Sequence, residues 1–276
     1  MFSSNNPINK DGRNAFLKNF KFACTILLFL TALTSATNLK AEKEFRIDLA
    51  YGGTWHDAEK SKINKNDDWL CWASSAANIL AWTRWGIQSG ITTEDDIFSY
   101  FTQHWSDHPS GSPREAWRWW LTGEKHGSGG AEVLNAGGGF WPDVDFSTSK
   151  WESPAGSLFR GIGQHQLKRD PYILRHLLED GYGVVLQIVR PTARGSRDSH
   201  MITLWGFRYS WLNRFKGILI TDSDDAKESY SAEQAQNKMV YYPVELKNRE
   251  WWFTYRGQEW KILAAYALLA KSQYYK

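Results

Sequence analysis

The sequence is poor in cysteine, with two residues, Cys24 and Cys71, in a chain of 276. Two cysteines can form at most one disulfide, which excludes the class of small exported domains that are held together by a disulfide framework. Most free cysteines in proteins are small buried hydrophobic residues. A lone cysteine with a histidine distant in the sequence is also the pattern of a catalytic nucleophile. Composition alone favours the first interpretation for Cys71.

The sequence also lacks a hydrophobic run long enough to cross a membrane as a helix. The longest run, residues 22–33, has 12 residues, whereas a membrane-spanning helix needs about 20. The run follows the basic residues Arg13, Lys18 and Lys21 and precedes small residues, which is the pattern of a secretory signal peptide. We therefore expect an exported protein with no stable membrane association.

The signal peptide is predicted to span residues 1–36, and Ala36 and Ala41 are the two candidate cleavage positions. Cys24 lies inside this segment, so Cys71 would be the one thiol of the exported protein. Residues 42–276 are enough for one large domain with a full hydrophobic core. The expected location is extracellular, with the periplasm as the alternative.

The chain also lacks a large excess of positive or of negative residues. The chain has 33 Lys and Arg residues and 30 Asp and Glu residues. Residues 1–36 contain four of the basic residues and one of the acidic ones, so the rest of the chain has 29 of each and is formally neutral. A neutral domain argues against nucleic acid or an acidic membrane surface as a partner.

The secondary-structure pattern indicates a helical front half and a β-rich back half, which is an α+β class of fold. Residues 71–85 combine apolar and helix-forming residues and end at Gly86, which predicts a buried helix with Cys71 in its first turn. Asp67 and Asp68 precede it, where a carboxylate can accept from the free amides of that turn. The other predicted elements are helices at 93–101 and 171–180 and strands at 184–189, 200–207, 217–224, 239–244 and near the C-terminus.

The position of Cys71 at a helix N-terminus is one half of the environment that activates a thiol. The other half is a histidine that is oriented by a third group. His200 opens a strand with period-two alternation, and the next strand ends in Asp222 and Asp224. If the two strands form an antiparallel hairpin centred on residue 211, His200 lies opposite Asp222, and Asp224 is one same-face step further on.

Each of these residues has a simpler interpretation when it is taken alone. His200 could be an ordinary histidine at a strand end, and the aspartates could belong to an acidic turn or to a calcium-tolerant loop. His104 and His108 have the spacing of metal ligands on a helix, but Pro109 follows them and no glutamate completes a zinc motif. The sequence therefore implies no metal and no organic cofactor, and the combination of residues favours nucleophilic catalysis.

Three segments carry a resemblance to a known family. They are "DDWLCWASSAANILAW" at 67–82, "SHMITLWGF" at 199–207 and "ILITDSDD" at 218–225. These segments resemble the motifs of the IdeS/Mac immunoglobulin G-degrading cysteine proteases, which are secreted bacterial enzymes with a papain-like fold. The resemblance extends from about Trp55 to the C-terminal strand and implies a papain-like cysteine protease domain at 42–276.

The resemblance also implies a role for each matching residue. Cys71 would be the nucleophile, His200 the base and Asp222 the residue that orients it, with Asp224 as a second important carboxylate. The family uses a lysine in a W-x-D-x-x-K context to stabilise the oxyanion, and here "WHDAEK" offers Lys60. The match at Lys60 needs one extra residue between the lysine and the cysteine relative to the family pattern. Lys62 is therefore a rival candidate for the oxyanion role.

The expected function is a secreted endopeptidase whose partner is a protein substrate, with immunoglobulin G as the substrate that the family implies. The chain departs from the family at Trp72, where the family commonly has glycine, and in the middle region that is rich in tryptophan and glycine. Two alternatives stay open: another papain-like acyl-transfer enzyme of amidase or transglutaminase type, and an inactive tryptophan-rich binding protein.

Overall fold

The structure of the protein is a computed structural model that describes residues 42–61, 65–124, 130–146, 157–170, 172–192, 197–212, 214–224 and 237–276. The predicted signal peptide and Lys62 lie outside the described residues. Residues 44–209 and 215–276 form one compact unit, and the site described below belongs to it. No helix in the described ranges combines the length and the apolar character needed to cross a membrane.

The described residues form seven α-helices and nine β-strands. The helices are α1 Ile47–Tyr51, α2 Cys71–Thr83, α3 Glu94–His104, α4 Pro113–Thr122, α5 Gln164–Arg169, α6 Ile173–Glu179 and α7 Lys271–Tyr274. The strands are β1 Lys43–Arg46, β2 Phe159–Ile162, β3 Tyr182–Pro191, β4 Arg197–Tyr209, β5 Phe215–Thr221, β6 Val240–Pro243, β7 Glu245–Lys247, β8 Glu250–Tyr255 and β9 Gln258–Leu269. The predicted α+β class is confirmed.

The strands form one sheet in the order β6-β5-β4-β3-β9-β8-β7, with β1 paired to β4 and β2 paired to β9. The pairings along the main path are antiparallel. Strands β3 and β5 are rich in valine, isoleucine and leucine, and most residues of β3, β4 and β5 are buried, as expected for the centre of a sheet. Helix α2 packs against β3, β4 and β9, which brings the thiol-bearing helix onto the middle of the sheet.

Helix α2 is buried along its whole length after Cys71. The predicted helix 71–85 is therefore present, and it ends two residues earlier, where Arg84 adopts a left-handed conformation and its amide donates to Ala81. The predicted cap is not the one observed, because the N-cap residue is Leu70. The carboxylate of Asp67 instead accepts from the backbone amide of Ser61 at 2.7 Å.

Helix α4 was not among the predicted helices, although it has strong boundary signals. Ser112 caps it by accepting from the amide of Glu115, Pro113 occupies its first turn, and Gly123 ends it with φ +75°. This serine and glutamate spacing and the final glycine are typical of helix ends. Its tryptophans at 117, 119 and 120 are buried in the core, so they pack the interior and do not form a surface platform.

The predicted register of the β4–β5 hairpin is wrong. Thr203 pairs with Thr221 and Leu204 with Ile220, and the register shifts at two irregularities nearer the turn. The hairpin is therefore centred near residue 212, where Tyr209 pairs with Phe215 next to the turn. Strand β5 also ends at Thr221, so Asp222 lies beyond the paired part of the strand.

Candidate active site

Cys71 is the first residue of α2 and is half-buried. The amides of Ala73 and Ser74 donate to the carbonyl of Leu70 at 3.0 Å each. The amides of Cys71 and Trp72 have no carbonyl one turn earlier in the helix to donate to, so they point outward at the helix start. The positive end of the helix dipole therefore lies at the thiol and favours its ionised form.

His200 lies in β4, opposite Ile188 of β3, and is 8 % exposed. Its imidazole and the thiol of Cys71 line the same cleft, and each favours the charged form of the other. On its other side, Nε2 lies 2.6 Å from Oδ1 of Asp222. Since Nε2 is engaged with the carboxylate, Nδ1 is the nitrogen left to face the sulfur, and the three side chains follow one another in the order thiol, imidazole and carboxylate.

Asp222 is buried and accepts from four donors. His200 Nε2 and the backbone amide of Asp224 reach Oδ1 at 2.6 and 3.2 Å. The hydroxyl of Tyr255 and Nη2 of Arg256 reach Oδ2, the latter at 2.7 Å. Burial by itself raises the pKa of the carboxyl, but the positive His200, its hydrogen bond and Arg256 hold the pKa of Asp222 far below 3.8. The group is therefore ionised, and because an ionised carboxylate only accepts, Nε2 of His200 carries a proton.

The electrostatics of the site favour a thiolate and imidazolium pair. Burial lowers the pKa of His200, but the charge and hydrogen bond of Asp222 and the contact with Cys71 raise it from 6.5 to about 10. Burial likewise raises the pKa of Cys71, while the hydrogen bond and charge of His200, the charge of Lys60 and the amide of Met201 lower it below 9.0 overall. Both shifts favour the state in which the imidazole is protonated and the thiol is ionised.

Lys60 belongs to the same site, and 2 % of it is exposed. Its ammonium forms an ion pair with Oδ1 of Asp224 and donates to the carbonyl of Asp68 at 2.9 Å. Its backbone amide donates to the carbonyl of Ser223 at 2.9 Å, which fixes the lysine beside the end of β5. The structure therefore brings Lys60 together with Cys71, His200, Asp222 and Asp224, while Lys62 is outside the described residues.

Two residues of the site were absent from the sequence-based set, Tyr255 and Arg256. The hydroxyl of Tyr255 stays protonated, because burial and the charge of Asp222 raise its pKa well above the usual 10.0. Arg256 reaches Asp224 as well, with Nη1 3.6 Å from Oδ2. The only local signal is Gly257, which suits a turn between two apolar runs but says nothing of the distance from Asp222.

A buried hydrogen-bond bridge joins the helix of Cys71 to the strand of His200. Nδ2 of Asn78 in α2 donates to Oγ1 of Thr203 in β4 at 3.0 Å. Oδ1 of Asn78 accepts from the amide of Ala58 at 2.7 Å, two residues before Lys60. Asn78 is 1 % exposed, so one side chain ties together the three segments that carry the thiol, the imidazole and the lysine.

A cleft of about 200 Å³ opens at Cys71 and His200. One wall is the loop 109–112 with Trp72, and the other is formed by side chains of the sheet: Gln187, Ser199, Met201 and Tyr266. Trp72 is 1 % exposed, and its Nε1 donates to the carbonyl of His108 at 3.1 Å. Gly111 lies so close to this indole that a Cβ at position 111 would overlap the ring. The tryptophan that departs from the family pattern therefore supports one wall of the cleft.

His200, Asp222 and Asp224 also have the residue types and spacing of a metal site, with ligand atoms within 4.8 Å of one another. Each of these groups already has a cationic partner or a proton. Arg256 contacts both carboxylates, Lys60 pairs with Asp224, and the imidazole is protonated. A divalent cation would have to displace these positive charges, so the arrangement disfavours a metal.

No protein-family model matches the chain, and no curated protein is significantly similar to it. The family resemblance of the three sequence segments therefore stays a prediction.

Proposed function

We propose that the protein is a secreted cysteine endopeptidase with Cys71 as its nucleophile. The observation that carries the proposal is the half-buried thiol that shares a cleft with His200, whose imidazole is hydrogen-bonded to the ionised Asp222. A thiol beside an imidazolium at a helix N-terminus is a strong nucleophile near neutral pH. An inert structural cysteine needs neither a titratable partner nor an opening to solvent.

The proposed reaction begins when the thiolate of Cys71 attacks the carbonyl carbon of a peptide bond. His200 then transfers a proton from Nδ1 to the leaving amine, the C–N bond breaks, and a thioester to Cys71 remains. A water molecule then gives a proton to His200 and attacks the thioester carbon, the C–S bond breaks, and the thiolate and imidazolium pair is restored. The carboxylic acid product leaves and loses its proton to solvent. Asp222 keeps the ring oriented in both steps.

Lys60 is the side chain best placed to stabilise the oxyanion of the tetrahedral intermediates. A lysine ammonium has three donors, and two of them are used by Asp68 and Asp224. The third could serve the oxyanion, because the positive charge of Lys60 is near enough to lower the pKa of the Cys71 thiol. Together with the outward amide of Cys71 it would form an oxyanion hole, in which one donor is worth roughly 3 to 4 kcal/mol.

The cleft supports a protein substrate that enters as an extended segment. It is open at the thiol, and apart from His200 the described residues that line it include no acidic or basic side chain. We therefore expect the residues next to the scissile bond to be uncharged. The packing of α2 against an antiparallel sheet that bears His200 supports a papain-like fold, and the motif resemblance makes immunoglobulin G the first substrate to test.

The test is incubation of the purified protein with intact immunoglobulin G and a panel of host proteins, followed by mass analysis of the products. Defined fragments, cut next to uncharged residues, are expected. Modified but uncut proteins, with a deamidated side chain or an incorporated amine, would assign the site to the acyl-transfer alternative and contradict peptide-bond cleavage.

Cys71→Ser is the matched variant for this test. The folded structure should be retained, because serine is nearly isosteric, while cleavage should fall to background, because a hydroxyl beside a protonated imidazole is a poor nucleophile. Circular dichroism and product mass analysis check the two expectations. Cleavage at the wild-type rate by the serine variant would overturn the proposed mechanism.

A further inference from the structure

The turn between β8 and β9 has an unusual residue at its first position. Tyr255 pairs with Gln258, so Arg256 and Gly257 form a two-residue turn, and both have positive φ, +51° and +70°. Hairpin turns of this kind prefer asparagine, aspartate or glycine at the first position, because a larger side chain is unfavourable there. An arginine held in this conformation suggests that its side chain has a function.

The contacts of Arg256 lead to the candidate active site. Nη2 is 2.7 Å from Oδ2 of Asp222, and Nη1 is 3.6 Å from Oδ2 of Asp224. The guanidinium carbon also lies 4.9 Å from the centre of the Tyr255 ring. The planar guanidinium therefore contacts two carboxylates and lies against the ring of Tyr255, which donates to one of them.

The two carboxylates serve different parts of the site. Asp222 holds the imidazole of His200, and Asp224 holds the ammonium of Lys60. The distance from His200 Nε2 to Oδ2 of Asp224 is 4.0 Å, so a small rotation would let Asp224 compete with Asp222 for the same ring. Their like charges also repel each other, and a cation between them is needed to keep both in place.

We propose that Arg256 is a positioning residue that sets the relative placement of Asp222 and Asp224. In this role it couples the orientation of His200 to that of Lys60, although it is not among the residues that line the cleft. The inference rests on the proposed cysteine protease function. A single lysine charge would not replace it, because only the guanidinium has two nitrogens that can bind two carboxylates at a fixed distance.

The test compares Arg256→Asn, Arg256→Lys and a control, Arg249→Asn. Asparagine suits the first or second position of such a turn, so it removes the guanidinium while it preserves the hairpin. Arg249 is matched because it also has positive φ, +62°, in the two-residue turn between β7 and β8, and it contacts neither carboxylate. Arg256→Asn should lower kcat by about 10- to 100-fold with KM little changed.

Two further measurements separate positioning from a general effect on the hairpin. The proton on Nε2 of His200 should give a downfield resonance in wild-type protein, and Arg256→Asn should shift or broaden it while Tm changes little. Arg256→Lys should give an intermediate kcat. Full wild-type kcat in Arg256→Asn or Arg256→Lys would overturn the positioning role of the Arg256 guanidinium. A loss of kcat in Arg249→Asn equal to that in Arg256→Asn would also overturn it. If Arg256→Asn does not fold, Arg256→Lys alone carries the comparison.

The rate at which iodoacetamide alkylates Cys71 at pH 6 distinguishes the two proposals, because it requires no substrate. Fast alkylation is expected in wild-type protein and in Arg249→Asn, and slower alkylation in Arg256→Asn. Slow alkylation in the wild type would count against the catalytic pair itself. Fast and equal alkylation in all three proteins would overturn the inference about Arg256 and leave the protease proposal standing.

Discussion

At the residue scale, Asp222 and Asp224 differ in what they hold, although they are two positions apart. Asp222 has His200 on one oxygen and Tyr255 and Arg256 on the other. Asp224 pairs with the ammonium of Lys60. The first carboxylate therefore acts on the base and the second on the lysine, and their substitution should have different consequences.

Asp222→Asn should lower kcat/KM by about 10³- to 10⁴-fold, and Asp224→Asn by much less. An asparagine at 222 has one acceptor, and Tyr255 and Arg256 both donate to the same side of it. Its amide nitrogen would then face Nε2 of His200 and impose the wrong tautomer. Steady-state kinetics of the two variants on one substrate provides the check. A greater loss in Asp224→Asn would contradict the assignment of Asp222.

Lys60→Met should reduce kcat with little change in KM, because an oxyanion contact forms chiefly in the transition state. Methionine keeps most of the buried volume, but it leaves Asp224 without the ammonium. The double variant Lys60→Met with Asp224→Asn removes that uncompensated charge. If Lys60 stabilises the oxyanion, the double variant recovers Tm and not kcat, whereas recovery of both would limit Lys60 to partnering Asp224. Lys216→Ala, at an exposed position, is the control.

At the scale of elements, the site depends on how α2 sits on β4. The bridge from Asn78 to Thr203 and to the amide of Ala58 is buried. No charged residue is involved, so its contribution comes from hydrogen bonding and from the cost of leaving buried groups unpaired. The bridge therefore sets the distance between thiol and imidazole from two turns along the helix.

Asn78→Ala should lower the free energy of unfolding by about 2 to 4 kcal/mol, because it removes two buried hydrogen bonds and leaves a cavity. Thr203→Val keeps the volume and removes one of these bonds, so it should cost less. Urea unfolding of both variants measures the difference, and kcat should follow the same order. Wild-type stability in Asn78→Ala would show that the bridge does not hold α2 in place.

At the scale of the whole molecule, the charged network links folding to pH. The pKa of Asp222 is lower in the folded protein, so its contribution to stability is complete above its ordinary value of 3.8 and is lost as the pH falls. The pKa of His200 is raised to about 10, so its contribution is complete below 6.5 and is lost as the pH rises toward 10. The two contributions are both complete between these ordinary values.

The stability of the protein relative to Asp222→Asn should therefore be greatest between about pH 4 and 6.5 and should decline on either side. Both proteins should carry Cys71→Ser, so that thiol titration does not contribute. Urea unfolding at a series of pH values gives the difference directly. A difference that stays constant from pH 4 to 10 would show that Asp222 and His200 are not coupled in the folded state.

Across the whole molecule, local sequence patterns predict some of the helices and strands but not the register in which the strands pair. The apolar strands β3, β4 and β5 and the helix that starts at Cys71 were predicted because their periodicity and composition are local properties of the chain. Helix α4 was missed because its tryptophans obscured the pattern, although Ser112, Pro113 and Gly123 mark its ends. The predicted register of β4 and β5 was wrong, because the positions of the turn and of the strand irregularities depend on the packing of the sheet.

The sequence by itself determined the helix start at Cys71, the strand that holds His200 and the order in which Lys60, Cys71, His200 and the two aspartates occur. Only the tertiary structure decided that Asp222 contacts His200 beyond the end of β5, that Lys60 pairs with Asp224, and that the turn at Arg256 reaches both carboxylates. Local propensity acts over a few neighbouring residues. Contacts between residues far apart in the chain, as between Asp222 and Arg256, depend on how the strands pair and twist, which no short segment specifies.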